Sequence, residues 1–321
     1  MSNARLRIAL FCGALGLAAS IGASEPRSAA ALVYLDLSGK VMRLPVSGGE
    51  PSVLVESAGS GPDGIAVDER AGHIYWTNMG KVNADDGSIM RVDLDGKNLR
   101  TIVPEGGTYT PKQMKVDAKN GKLYWSDREG MRVMRSNLDG SKIETLVVTG
   151  AGDIDRKDQS KWCVGIAVDT DRGKVYWTQK GGDNAHTGTI KRANIELPKG
   201  EDPAHRSDIE VLFANLPEPI DMDLDLRERQ LYWTDRGDNT ISRAPMDAKA
   251  GFDPGKRTDR QILVRDLHEF IGITLDLKND RMYYTSLRGE LGVSRLNGKK
   301  TKLLLNDAGR FTGIALVPSG N

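Results

Sequence analysis

One short aromatic stretch recurs along the chain, and its period limits the possible folds more than any composition figure. HIYWTN (His73–Asn78), KLYWSD (Lys122–Asp127), KVYWTQ (Lys174–Gln179), QLYWTD (Gln230–Asp235) and RMYYTS (Arg281–Ser286) are copies of one strand. Their first tyrosines, Tyr75, Tyr124, Tyr176, Tyr232 and Tyr283, lie 49, 52, 56 and 51 residues apart. A degenerate sixth copy, LVYLD, occupies Leu32–Asp36. Self-similarity at this period marks a repeat architecture, whose units bury their apolar faces only against one another.

Each copy has companions in constant order. An apolar strand ending in Asp precedes it: GIAVD (64–68), QMKVD (113–117), GIAVD (165–169), DMDLD (221–225) and GITLD (272–276). A strand with a central arginine follows: Arg43, Arg91, Arg135, Arg192, Arg243 or Arg295. Asp-Gly and Asn-Gly pairs such as Asp95-Gly96, Asp139-Gly140 and Asn297-Gly298 then supply the positive φ of a tight turn. A short leucine-rich or β-branched strand closes the unit. Four antiparallel strands per unit at this spacing predict an all-β β-propeller. The chain opens with a second, third and fourth strand lacking a first, and finishes with GIALV (313–317), a first strand lacking the rest. Joined, the N- and C-terminal strands share one blade and give six blades.

The LYWTD strand followed by I-x-R-x-x-L-D-G resembles the YWTD repeats of the low-density-lipoprotein-receptor family, a six-bladed propeller; the likeness runs from about residue 32 to 317. The resemblance implies that Trp76, Trp125, Trp177, Trp233 and the strand arginines are structural. It also implies a binding role. The receptors surround their propellers with disulfide-rich modules and a membrane span; the full sequence here has two cysteines, Cys12 and Cys163, and only Cys163 lies in the repeat region.

Lys and Arg total 45 against 44 Asp and Glu, so no basic excess points to nucleic acid. Arg5 and Arg7, an apolar run from Ile8 to Ile21, and small residues near Ala23 read as a signal peptide over residues 1–24. The run is shorter than the roughly 20 residues a bilayer span needs, so a soluble, secreted or periplasmic protein is expected. Residues 25–31 are read as a linker, 32–317 as the propeller and 318–321 as a tail.

In a four-stranded meander the links between strands 4 and 1 and between strands 2 and 3 share one rim. Here that rim carries several polar loops, with Trp162, His186 and Glu218, while two long links on the opposite rim, 197–208 and 248–260, are read as solvated insertions. Inner strands line the central channel, where Gly64, Gly165, Gly272 and Gly313 fit a crowded axis. Gln113 with Lys115, and Asp221 with Asp223, break that rule in two next-but-one blades, so Lys115 and Asp223 are placed to face each other across the channel. They form either a structural ion pair or a polar pocket. The candidate ligand-binding set is Asp63, Gln113, Lys115, Trp162, His186, Glu218, Asp221 and Asp223.

Asp63, Glu218 and Asp221 are oxygen ligands of the kind Ca²⁺ or Mg²⁺ takes. Gluconolactonase-type lactonases surround such an ion with Glu, Asn and Asp on inner strands; no Asn starts an inner strand here, so the similarity to them is architectural. Asp153, Asp155 and Asp158 miss EF-hand spacing. Cys163 beside Trp162 is read as a small apolar group, with a nucleophile partnered by His186 or His268 as the alternative. Two functions stay open. One is a binding module recognising a protein, peptide or glycan on the loop-rich rim. The other is a hydrolase, lyase or isomerase acting on a small molecule at the channel mouth, with Asp221 or Glu218 in acid–base roles and Lys115 offsetting charge.

Overall fold

The computed structural model describes residues 29–265 and 268–319. The expected signal peptide, residues 25–28 of the expected linker and residues 320–321 of the expected tail lie outside them. The first strand, β1, begins at Ala31, one residue inside the expected linker. Strands β1 to β24 form six four-stranded antiparallel sheets. Five are built from consecutive strands. The sixth joins the last strand, β24 (Phe311–Val317), to β1 (Ala31–Asp36), with Ala31 opposite Val317 and Val33 opposite Ala315.

The apolar core lies between successive sheets. In one such layer, Tyr176, Ile190 and Phe213 of the third blade meet Met222, Leu231 and Trp233 of the fourth. Trp76, Trp125, Trp177 and Trp233 are fully buried. Four of the six strand arginines reach into the next blade: Arg43 to the Leu94 carbonyl, Arg135 to Glu196, Arg192 to Asp247 and Arg243 to the Leu296 carbonyl. The threonine of the repeat is a further clasp. Thr178 Oγ1 accepts from the Gly165 amide and donates to the Ile220 carbonyl of the next blade; Thr77, Thr234 and Thr285 repeat the pattern. In the degenerate copy Leu35 takes this place, and Thr312 donates to the Pro62 carbonyl.

The inner strands start two residues earlier than the aligned motifs: β4 (Pro62–Asp68), β8 (Pro111–Asp117), β12 (Cys163–Asp169), β16 (Pro219–Asp225) and β20 (Phe270–Asp276). Each carries a bulge at its start; Pro62 faces Asn78, but Ile65 already faces Trp76. A bulge interrupts the two-residue alternation of side chains. Glycines beside it have no room for a side chain. A Cβ on Gly165 would overlap the Ile220 carbonyl, and one on Gly64 the Lys112 carbonyl.

Two long links on the opposite rim are straps. Each covers the outer edge strand of the preceding blade, where unpaired backbone groups invite association. Val148 donates to the Pro203 carbonyl and Ala214 to the Pro254 carbonyl. Arg206 and Arg257 hold the straps in the same way. Arg206 donates to the Leu146 and Asn194 carbonyls and pairs with Asp208; Arg257 donates to the Leu212 and Pro245 carbonyls and pairs with Asp259.

Candidate functional site

The inner-strand bulges re-aim one side chain per blade at the mouth of the channel, on the rim that carries Trp162 and Glu218. These are Asp63, Lys112, Val164, Ile220, Ile271 and Thr312. They floor a cavity of about 400 Å³, within the size range of small-ligand sites. The ring is two-faced. Val164, Ile220 and Ile271 form a buried apolar cluster with Leu287 against it, while Asp63, Lys112 and Thr312 form the polar half.

Lys112 donates to Asp63 Oδ2, and its Nζ lies 3.3 Å from the Met79 sulfur. Burial lowers its basicity, and the Asp63 carboxylate only partly opposes that effect. Gln113 Nε2 donates to the other Asp63 oxygen at 3.0 Å. Across the mouth, Glu218 Oε1 takes Lys180 at 2.7 Å and Arg236 at 2.5 Å. Lys180 and Arg236 also reach Asp183, and the Lys180 bond is the main cause holding the Asp183 carboxyl below its usual range.

Trp162 forms one wall. It follows the short helix α1 (Gly152–Arg156) and a single 3₁₀ turn, and its indole N–H donates to the Arg156 carbonyl at 2.9 Å. The Arg128 guanidinium lies 5.0 Å and the Lys180 ammonium 5.8 Å from its ring centre. Arg128 is gripped through two nitrogens by buried Glu129, at 2.6 and 2.7 Å.

Of the expected residues, the structure gathers Asp63, Trp162 and Glu218 around this cavity. Gln113, Lys115, Asp221 and Asp223 do not line it. Lys115 and Asp223 face each other across the channel, 3.5 Å apart. Asp221 is buried, and each of its oxygens accepts a backbone amide, Met222 at 2.8 Å and Ile273 of the next blade at 3.0 Å. Burial pushes its pKa up to about 7, against the pull of Lys115. His186 is exposed at a loop tip and is not among the lining residues. Cys163 is fully buried beside Thr149, and burial raises its thiol to about 12.

Among the described residues, no group of three or more His, Cys, Asp or Glu is placed to hold a metal. Asp155 and Asp158 of the acidic loop accept nearby backbone amides, and Asp153 lies 3.7 Å from Arg156. No helix of the described residues is long and apolar enough to cross a membrane. Sequence alternation missed Lys112, because it placed the channel-facing position one residue late in the bulged strands, and it missed Lys180 and Arg236, which lie on rim loops just past their strands. The recurring glycine at the bulge, Gly64, Gly165, Gly272 and Gly313, was the available signal, since strand glycines often mark bulges.

No protein-family model matches the chain. It is 42% identical over 292 residues to a low-density lipoprotein receptor-related protein 1 of Pyricularia oryzae, covering 87% of this chain and 92% of that protein. It is 39% identical over 267 residues to the 3-hydroxyacyl-CoA dehydrogenase-like protein LAM1 of Cochliobolus heterostrophus, of which it spans 56%. Among solved structures, a chain of a nidogen/laminin complex aligns with a TM-score of 0.69 at 22% identity, over 90% of this chain and 98% of that one. The repeats, the closed ring of six blades and the extent of the Pyricularia match agree: this chain belongs to the low-density-lipoprotein-receptor-related family of YWTD six-bladed β-propellers.

Proposed function

We propose that the protein is an exported binding module that docks a protein, peptide or glycan partner on its loop-rich rim. One observation carries this reading. Among the described residues, the two most exposed large apolar side chains, Ile154 at 88% and Val82 at 77%, both stand on that rim; every other such residue described is at or below 44%. Single exposed apolar residues are ordinary. Two such residues on one rim, with Val82 and a partly exposed Trp162 lining the cavity, resemble the apolar anchors with a polar surround found at binding surfaces. Family membership supports the same reading, and one fold neighbour was solved in a nidogen/laminin complex. Export rests on Arg5, Arg7 and the apolar run Ile8–Ile21.

The raised pKa of Asp221 favours the second reading, a small-molecule hydrolase, lyase or isomerase. It is the weaker one, because Asp221 is closed off and engaged with backbone amides.

The test uses purified protein as bait, with crosslinking to partners from its own compartment. Val82→Asp with Ile154→Asp should abolish capture of any specific partner, while Leu277→Asp on the opposite rim and Asp221→Asn should leave it intact. Capture that ignores the rim pair but fails in Asp221→Asn would reverse the preference. N-terminal sequencing of secreted protein should find residues 1–24 removed; a retained Met1 would refute export through cleavage.

A further inference from the structure

The cavity at the channel mouth has unspent hydrogen-bonding capacity on one side and hydrocarbon on the other. Lys112 has three N–H donors. One goes to Asp63 and one is directed at the Met79 thioether, a weak acceptor, which leaves room for an oxygen. Thr110 lines the same corner at 2% exposure, and its hydroxyl has no partner. A buried hydroxyl without a partner costs stability unless a ligand or water completes it. Arg128 borders the corner as well; its Nε and one terminal nitrogen face Glu129, which leaves the other terminal nitrogen free of that pair.

Facing this corner are Val164, Ile220, Ile271 and Leu287. They offer no side-chain polar atom. A fully ionic ligand would strand its charge against them. A purely apolar ligand would leave Lys112 and Thr110 unanswered.

We infer that the mouth is a binding site for a carboxylate carried on an apolar chain, with the acid group on Lys112 and Thr110 and the hydrocarbon against the Val164–Ile220–Ile271 wall. The carboxylate belongs either to a free small acid or to the C-terminus of a polypeptide ending in an apolar residue. The inference does not depend on the rim partner, since the polar corner and the apolar wall are set back from Ile154, which does not line the cavity.

Isothermal titration of the intact protein separates the possibilities. The probes are octanoate, octan-1-ol, octylamine and acetate, together with a peptide ending in Leu as the free acid and as the C-terminal amide. Octanoate, or the peptide acid, should bind once per chain. The matching alcohol and amine, or the amide, should bind at least about tenfold more weakly, as expected for losing a charge-assisted hydrogen bond. Acetate should be weaker by a similar factor. Thr110→Val keeps the side-chain shape and should lower affinity about tenfold. Asp63→Asn with Lys112→Met removes the ion pair as a unit and should erase the preference for the acid. If only the free acid of the peptide binds, the inference stands and the source is a chain terminus. No saturable binding by either acid would overturn it, as would equal affinity for octanoate and octanol. Ile154→Asp, outside the cavity lining, should leave octanoate binding unchanged.

Discussion

Lys115 Nζ and Asp223 Oδ1 lie 3.5 Å apart across the central channel, joining inner strands that belong to next-but-one blades. Asp223 also accepts the Leu275 amide of the neighbouring blade at 3.0 Å. The pair ties the ring across its axis. Asp223 and the nearby Asp221 carboxylate offset the burial that would otherwise lower the Lys115 pKa, and its net direction is upward. Both side chains keep about a quarter of their surface, 22% and 24%, so solvent screens the attraction. A double-mutant cycle with Lys115→Met and Asp223→Asn should give a coupling of about 1 kcal/mol in chemical denaturation. Lys115→Met should also move Asp221 above its present value of about 7, because it removes the cation that opposes burial. A carboxyl resonance of Asp221 that titrates at the ordinary value in the variant would contradict this picture.

The threonine clasps should matter more than their size suggests. Thr178→Val keeps the shape but strands the Gly165 amide and the Ile220 carbonyl, both in the buried wall between two blades. A loss of about 3 kcal/mol in unfolding free energy is expected, as for two buried groups left without partners. Thr170→Val, on an opposite-rim turn where the structure records no side-chain hydrogen bond for it, provides the control and should change stability by less than about 0.5 kcal/mol. Equal effects at the two positions would rule out the clasp.

The straps depend on their arginines. The Arg206 side chain is fully buried and that of Arg257 is 3% exposed, and each donates to carbonyls of the edge it covers. Arg206→Met should cost about 3 kcal/mol and speed hydrogen exchange at Val148, whose amide bonds to the strap. Arg206→Lys should not restore it, since an ammonium lacks the planar fork that spans two carbonyls and a carboxylate. Rescue by lysine would reduce the role to charge alone.

Asp235 gives the protein a pH dependence. One oxygen accepts the Glu218 and Gly237 amides, while the other has no partner; burial, with help from Asp238, pushes the pKa up to about 7. The ordinary value is 3.8. Between those values the folded chain holds a proton that the unfolded chain has lost, so this group's contribution falls as pH rises from about 4 to about 7. Asp235→Asn should be nearly neutral at pH 4 and stabilising by about 1 to 3 kcal/mol at pH 8. The repeat supplies the precedent, since Asn78 holds the same place in the first blade. Denaturant titrations at the two pH values decide it, and a pH-independent difference would count against the shifted carboxyl.

Blade count, closure and strand order were legible because each follows from repetition. Six spaced copies of one four-strand pattern, with the first strand displaced to the far end, have one closed arrangement that buries every sheet face. The opposition of Lys115 and Asp223 could be read for the same reason: equal positions in next-but-one blades face a common axis. The mouth could not be read this way. A single bulged residue shifts the alternation of every inner strand, and only hydrogen-bond register reveals it. Asp221 and Gln113 therefore turned out to serve contacts between blades, while Lys112 and Ile220, each one residue earlier, came to line the cavity. Lys180, Arg236 and Arg128 were also invisible, since their meeting depends on loops from three blades converging in space. Local pattern determines which strands form and how many sheets they make. Where a side chain points at a strand's irregular end, and which loops meet above it, is decided only when the ring closes.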